Sequence, residues 1–126
     1  MQRRVLAESR VHPQIREKIA SYRGASVDEV EALVAQHPVV VVGMAQNPFP
    51  GRARKLLEQH GIAYHYIGYG SYLSQWKKRL PLKLWTGWPT FPMIFVNGTF
   101  IGGYEDLHRL ITSGEFQTLL AAPRTN

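Results

Sequence analysis

The chain has 126 residues, of which 44% are hydrophobic, carries a formal net charge of +6 and contains no cysteine. This length fits one domain with an ordinary packed core, and the lack of cysteine excludes disulfides, thiolate nucleophiles and thiolate metal sites. No apolar run approaches the roughly 20 residues that span a bilayer, and none follows the basic N-terminus as in a secretory signal, so we expect a cytoplasmic protein with no membrane segment.

Residues 1–37 are predicted to form a helical extension with two helices. The first begins at Pro13, since proline is favoured in a first helical turn, and stops at Gly24. Its apolar residues recur at helical spacing and are Ile15, Ile19 and Tyr22. The second helix begins with Ser26 followed by Glu29, the pattern of a capping box, and ends near residue 37. Its apolar face consists of Val30, Leu33 and Val34.

A strand–helix–strand unit is predicted next. Residues 39–42 are four consecutive valines, which is typical of a strand covered on both faces. A helix follows over residues 48–60, with Gly61 as its stop, and a second strand over residues 63–67. Such a unit makes a right-handed crossover between two parallel strands.

The rest of the chain predicts a helix, a hairpin and two closing helices. The helix covers residues 71–80, and the hairpin joins strands 93–96 and 99–101 through Asn97-Gly98, a strong turn signal. The last helices contain Leu107, Leu110 and Ile111, and residues 116–120. The order β-α-β-α-β-β-α predicts an α/β, thioredoxin-like fold, with a mixed four-stranded sheet flanked by helices in a domain over residues 38–121.

Three segments resemble those of the glutaredoxin family, and together they extend over about residues 38–120. Residues 39–53 (VVVVGMAQNPFPGRA) are placed like the strand and helix start that carry the family's Cys-Pro-Tyr-Cys motif. Residues 88–96 (WPTFPMIFV) are similar to its Thr-Val-Pro segment, especially in the monothiol branch. Residues 101–106 (IGGYED) resemble its Gly-Gly-x-x-Asp turn. The resemblance implies the glutaredoxin version of the thioredoxin fold.

The resemblance places Asn47-Pro48-Phe49-Pro50 where the family has its redox cysteines. Asn47 takes the place of the nucleophile and Pro50 that of the second cysteine. We interpret Asn47 as a helix N-cap followed by proline at the first helical position, since an amide is no useful nucleophile. Because Pro48 and Pro50 lack an N–H, the helix start should bind an anion less well than usual. We therefore expect no catalytic residue, no redox activity and no iron–sulfur cluster, which would need the missing thiolate.

The resemblance also implies a cleft for glutathione. Phe91 would precede a cis Pro92 and pair through its backbone with the cysteinyl part of the ligand. Gly103 and Tyr104 would approach the γ-glutamyl end at a helix start, and Asp106 would hold its amino group. Purely structural turns, with acidic residues placed to suit the helix dipole, are the alternative explanation of both segments.

Other features weaken the expected binding or remain open. Met44 stands where the family has a lysine for the glycyl carboxylate, so any glutathione would bind weakly unless Gln46, Lys77 or Lys78 replaces that contact. No residues have the spacing of metal ligands, so we expect no metal site. Aromatic residues are expected near the cleft edge, as core or as a docking surface: Tyr69, Tyr72, Trp76, Trp85 and Trp88.

Three functions compete at this point. The first is a non-catalytic binding module that keeps a remnant glutathione or thiol-peptide cleft for a protein or peptide partner. The second is an enzyme that uses the thiol of bound glutathione, with Asn47, Tyr69 or Tyr104 as a donor near the sulfur. The third is a basic accessory protein for nucleic acid, which the dispersed positions of the basic residues disfavour.

Overall fold

The computed structural model describes residues 3–21 and 24–123; Tyr22 of the first predicted helix lies outside the described residues. A short 3₁₀ turn, Glu8–Arg10, precedes six helices and four strands in this part of the chain. Their bounds are α1 Pro13–Ser21, α2 Ala25–Gln36, β1 Val39–Gly43, α3 Pro48–Gln59, β2 His65–Gly68, α4 Trp76–Thr86, β3 Met93–Val96, β4 Thr99–Gly102, α5 Tyr104–Ser113 and α6 Glu115–Ala121.

The four strands form one mixed sheet in the order β2-β1-β3-β4. β1 runs parallel to β2, with Val41 opposite Tyr66, and antiparallel to β3, with Val41 opposite Ile94. β3 and β4 form the hairpin predicted around Asn97-Gly98, and both turn residues have positive φ, as such a turn requires. The structure confirms the predicted α/β fold with its mixed four-stranded sheet.

The valine strand β1 explains why the sheet is covered on both faces. Successive side chains of a strand point to opposite faces, so Val40 and Val42 enter one core and Val39 and Val41 the other. All four are at most 1% exposed. The first core includes residues of α2 and α4: Val27, Val30 and Leu82. The second includes residues of α3, α5 and α6: Ala53, Leu57, Leu107, Leu110 and Phe116.

Two predicted helix starts are wrong. Ser26 does not cap α2, whose N-cap is Gly24; its buried hydroxyl donates instead to the Lys78 carbonyl of α4 at 2.7 Å. The predicted helix 71–80 is α4, which begins at Trp76 because residues 69–74 wrap around a buried side chain. That side chain is Arg79, which donates to the carbonyls of Tyr69, Ser71 and Ser74.

Two further bounds differ from the sequence prediction. α4 continues past Pro81 to Thr86, although proline lacks the N–H for one helical hydrogen bond. Pro81 and Leu82 are buried, so tertiary packing offsets that loss. β2 begins at His65 rather than at residue 63.

The two N-terminal helices differ in how they pack. α1 buries no residue, and Ile15 and Ile19 of its predicted apolar face are about half exposed. In α2, Val27 and Val30 are fully buried against the sheet. The proposed limits of the extension, 1–37, and of the domain, 38–121, stay a prediction. None of the helices in the described part of the chain is long and apolar enough to cross a membrane.

Candidate functional site

The start of α3 is built around Asn47. Its side-chain Oδ1 accepts a hydrogen bond from the Phe49 N–H at 3.0 Å, which makes it the predicted N-cap with Pro48 at the first helical position. Pro48 and Pro50 have no N–H to offer, and the N–H of Phe49 is used by the cap. The first three helical residues therefore leave no free donor for an anion, which goes further than the weakening expected from the two prolines.

The nitrogen of the Asn47 side-chain amide forms a hydrogen bond with another wall of the site. Nδ2 donates to the carbonyl of Phe91 at 2.9 Å, although the two residues are 44 positions apart. Phe91 is 4% exposed and belongs to the core on the α2–α4 side, and the Phe91–Pro92 peptide is cis. Asn47 thus joins the start of α3 to the turn that leads into β3.

The start of α5 forms the third wall. Gly102 has a φ of +102° and Gly103 is the N-cap of the helix. The Gly103 N–H donates to the Asp106 carboxylate at 3.0 Å, so the third helical residue caps its own helix. Arg109 lies 3.4 Å from the other oxygen of Asp106. The carboxylate that the resemblance assigns to a ligand amino group therefore already has two partners within the chain.

These walls enclose a cleft of about 600 Å³. Eight of the nine residues assigned in the sequence to the Asn-Pro-Phe-Pro segment or to the ligand cleft line it, and the ninth, Pro50, is buried in the first turn of α3. Four further residues complete the lining: Tyr72, Trp88, Thr90 and Glu105. The eight are Asn47, Pro48, Phe49, Phe91, Pro92, Gly103, Tyr104 and Asp106. The structure thus brings the predicted residues together; that they bind a ligand stays a prediction.

Aromatic rings dominate the mouth of the cleft. Phe49 and Tyr104 lie with their ring centroids 6.1 Å apart, so they link the starts of α3 and α5. The Arg52 guanidinium lies 5.0 Å from the Phe49 ring centroid. Trp88 packs edge-on against Phe100, and its Nε1 is buried without a hydrogen-bond partner. The mouth of the cleft therefore offers flat apolar surfaces.

None of the expected replacements for the family's lysine lines the cleft. Met44 is 6% exposed and packs in the core. Lys77 and Lys78 line a separate depression beside Tyr69, and Gln46 is an exposed residue with positive φ. Sequence reasoning overlooked Lys83, whose Nζ lies 5.9 Å from the ring centroid of Phe91. Its only sequence signal is a position on the helix before the Trp-Pro-Thr-Phe-Pro segment.

The aromatic residues expected at the cleft edge are dispersed. Tyr72 and Trp88 line the cleft, whereas Trp85 stacks on Phe95 in the core and Trp76 is largely exposed. Tyr69 is 2% exposed and its hydroxyl donates to Glu29 at 2.5 Å. Burial, together with this hydrogen bond and the nearby charge, raises the pKa of Tyr69 well above its ordinary value. Tyr69 is therefore not a donor at the cleft, which corrects that part of the enzymatic hypothesis.

Metal-ligating side chains are scattered. Within residues 3–21 and 24–123 no group of three or more histidine, aspartate or glutamate side chains could hold a metal ion. His37 and His65 stack with their ring centroids 4.4 Å apart, away from the residues that line the cleft. The side chains that line the cleft offer hydrogen-bonding groups, the carboxylates of Glu105 and Asp106, and apolar surface.

The comparisons with known proteins agree with this geometry. Residues 39–101 match the sequence model of the glutaredoxin family. The chain is 43% identical to a glutaredoxin-like protein of Dictyostelium discoideum over 96 residues, which is 76% of this chain and 78% of the relative. It is 31% identical to the monothiol glutaredoxin-4 of Schizosaccharomyces pombe over 98 residues, 74% of this chain and 39% of that protein.

A solved structure shares the fold. The holo form of glutaredoxin C1 from Populus tremula x tremuloides superposes with a TM-score of 0.69 at 27% sequence identity, covering 84% of this chain and 99% of that one. The sheet order, the three cleft segments and the matched residues all lead to one assignment. The chain belongs to the glutaredoxin family.

Proposed function

We propose that this protein is a non-catalytic binding module whose cleft takes glutathione or a thiol-containing peptide of a protein partner. The observation that carries the proposal is the cleft: three separate segments come together around about 600 Å³, while the two thiol positions hold Asn47 and Pro50. A scaffold that keeps the walls of a ligand cleft and lacks the nucleophile is suited to binding without turnover.

The absence of redox chemistry belongs to the proposal. Thiol–disulfide exchange begins with attack by a thiolate, and the chain has no cysteine to supply one. For the same reason we propose that the protein assembles no iron–sulfur cluster through this site. The proposal also includes a cytoplasmic location.

The proposed binding is weak. None of the described residues that line the cleft is a lysine or arginine, and the first three residues of α3 have no free N–H. A hydrogen bond to a charged group contributes about 1.5–3 kcal/mol, so losing one or two of them weakens an anionic ligand by at least tenfold. We therefore expect glutathione to bind at least tenfold more weakly than it would in a cleft that keeps those contacts.

A titration of isotopically labelled protein with reduced glutathione, followed by backbone NMR, tests the proposal. Saturable shifts are expected at Phe91, Gly103, Tyr104 and Asp106. The tripeptide γ-glutamyl-alanyl-glycine, which lacks the sulfur, serves as a matched probe and should cause shifts at the same amides if the backbone of the ligand is recognised. A flat titration with glutathione would refute a glutathione cleft.

Activity assays separate this proposal from the two alternatives. The protein should not reduce hydroxyethyl disulfide with glutathione, and turnover there would contradict the binding-module proposal. It should not accelerate the nucleophilic aromatic substitution in which the glutathione thiolate displaces chloride from chlorodinitrobenzene; a measurable rate, lost in Tyr104→Phe, would favour the enzyme. Retention of labelled RNA or DNA that disappears with salt would favour the nucleic-acid accessory protein.

A further inference from the structure

Both halves of the Asn47 side-chain amide are engaged in hydrogen bonds within the chain. Oδ1 accepts from the Phe49 N–H at 3.0 Å, and Nδ2 donates to the Phe91 carbonyl at 2.9 Å. An N-cap requires only the oxygen. The second hydrogen bond is therefore additional to the helix start, and it ends on a backbone group in the wall of the cleft.

The Phe91 carbonyl is the kind of group that an extended ligand would use. It lies just before β3, outside the paired part of the sheet, in a segment that lines the cleft. Peptides that dock beside a strand obtain affinity from hydrogen bonds to such backbone groups. The side chain of Phe91 is buried in the core, so the position of its carbonyl is fixed.

We infer that Asn47 is a specificity-determining residue that occupies, with its own amide, the position of a ligand N–H in the cleft. This inference rests on the proposed function, since it concerns the same cleft. The Phe91 carbonyl has two lone pairs, and a ligand N–H that approaches the one used by Nδ2 must displace Nδ2. A ligand that makes no such hydrogen bond binds without that competition. The cleft therefore selects against the backbone donors of a peptide unless other contacts offset the loss.

The size of the effect follows from the net strength of one hydrogen bond. Such a bond contributes about 0.5–1.5 kcal/mol, so removing the competitor should tighten a donating ligand by roughly threefold to tenfold. The bond also joins two walls that are 44 residues apart in sequence. Its loss should therefore be visible at Phe91 as well as at the start of α3.

Asn47→Ser is the variant that tests the inference. Serine keeps an oxygen that caps the Phe49 N–H, but it has no amide to reach Phe91. Glutathione is titrated into the wild type and the variant, and the dissociation constants are compared. A second titration uses a glutathione analogue methylated at both amide nitrogens, which has no backbone donor. Gly51→Ala, within α3 and away from the cleft lining, serves as the control that should bind like the wild type.

The expected result is that Asn47→Ser binds glutathione threefold to tenfold more tightly and gains nothing for the methylated analogue. In the wild type, the side-chain amide signals of Asn47 should shift as glutathione binds, because the ligand releases Nδ2. Equal or weaker binding by Asn47→Ser, or an equal gain for the analogue, would overturn the inference.

The two proposals fail in different ways. The wild-type titration alone decides whether the cleft takes glutathione, and the ratio of the two dissociation constants decides whether Asn47 competes with it. Binding by Asn47→Ser but not by the wild type would support the competition and refute glutathione as a ligand of the natural protein. Binding by neither would overturn both.

Discussion

The starts of α3 and α5 face the same cleft, and each is capped by a side chain of the protein itself. The two capping side chains differ in how far along the sequence their hydrogen-bond partners lie. At α5, Asp106 folds back onto Gly103, three residues earlier, and the contact stays within the first helical turn. At α3, Asn47 caps Phe49 and also extends to Phe91 across the cleft. The Asp106 cap is local, whereas the Asn47 side chain connects two separate segments of the fold.

Because of this difference, substitutions at Asp106 and at Asn47 should affect the stability of the fold and the properties of the cleft to different degrees. A change at Asp106 removes a cap, so the main loss should be in the free energy of unfolding. A change at Asn47 that preserves the cap should lower the free energy of unfolding only by the value of the Nδ2 hydrogen bond, about 0.5–1.5 kcal/mol, and should change the shape and hydrogen-bonding capacity of the cleft. Under the proposed function, the contact at the start of α5 is therefore mainly structural, while the contact at the start of α3 bears on binding.

The largest expected effect concerns the turn before α5. Gly102 has a φ of +102°, which side chains rarely adopt, and a Cβ there would meet the Asp106 carboxylate, with its Cγ at 2.8 Å. Gly102→Ala should therefore lower the free energy of unfolding by about 2–4 kcal/mol, through backbone strain and displacement of the cap. Urea unfolding followed by tryptophan fluorescence measures the loss.

The matched glycine at the other helix start is the control. Gly51 lies within α3, and a Cβ there has nothing within 4 Å. Gly51→Ala should raise the free energy of unfolding by about 0.5–1 kcal/mol, because alanine restricts the unfolded chain and favours helix. If the two alanine variants changed stability alike, the constraint assigned to the Gly102 turn would be wrong.

A smaller effect is expected from the α5 cap. Asp106→Ala removes the acceptor for the buried Gly103 N–H and should cost about 1–2 kcal/mol. Glu105→Ala removes the same charge from the same helical turn at an exposed position, so only the helix-dipole contribution of about 0.5 kcal/mol should be lost. Chemical denaturation of both variants at low salt compares them. Equal losses would mean that charge, rather than the cap, stabilises this helix start.

The local features of these helix starts could be predicted from sequence. Asn before Pro indicates an N-cap with proline in the first turn, and Asn97-Gly98 indicates a hairpin turn; both depend on the backbone preferences of the residues themselves. The four valines of β1 likewise fix a strand buried on both faces, because no polar residue interrupts them. These predictions are confirmed by the structure.

The features that join distant segments could not be predicted in this way. The capping-box pattern at Ser26 failed because its hydroxyl found a carbonyl on α4, 52 residues away. The Nδ2 contact of Asn47 with Phe91 and the wrapping of residues 69–74 around Arg79 depend in the same way on how elements pack. Tertiary hydrogen bonds override local patterns where the helix faces are buried.

The smallest expected effect concerns a hydrogen bond away from the cleft, between Tyr69 in the loop before α4 and Glu29 in α2. The Tyr69 hydroxyl donates to Glu29 of α2, and burial is the main cause that raises the pKa of Tyr69 above its ordinary value of 10.0. Below about pH 10 tyrosine is protonated in both states, so the hydrogen bond contributes fully, by about 1 kcal/mol. Above that pH the unfolded chain releases the proton more readily than the folded one, and stability falls as pH rises. Urea unfolding between pH 8 and pH 11 measures this dependence. The free energy of unfolding of Tyr69→Phe should lie below that of the wild type at pH 8, and the difference should shrink as pH increases. Tyr72→Phe, which changes an exposed tyrosine, should follow the wild-type curve. A constant deficit for Tyr69→Phe over this range would show that the proton on Tyr69 is not linked to folding.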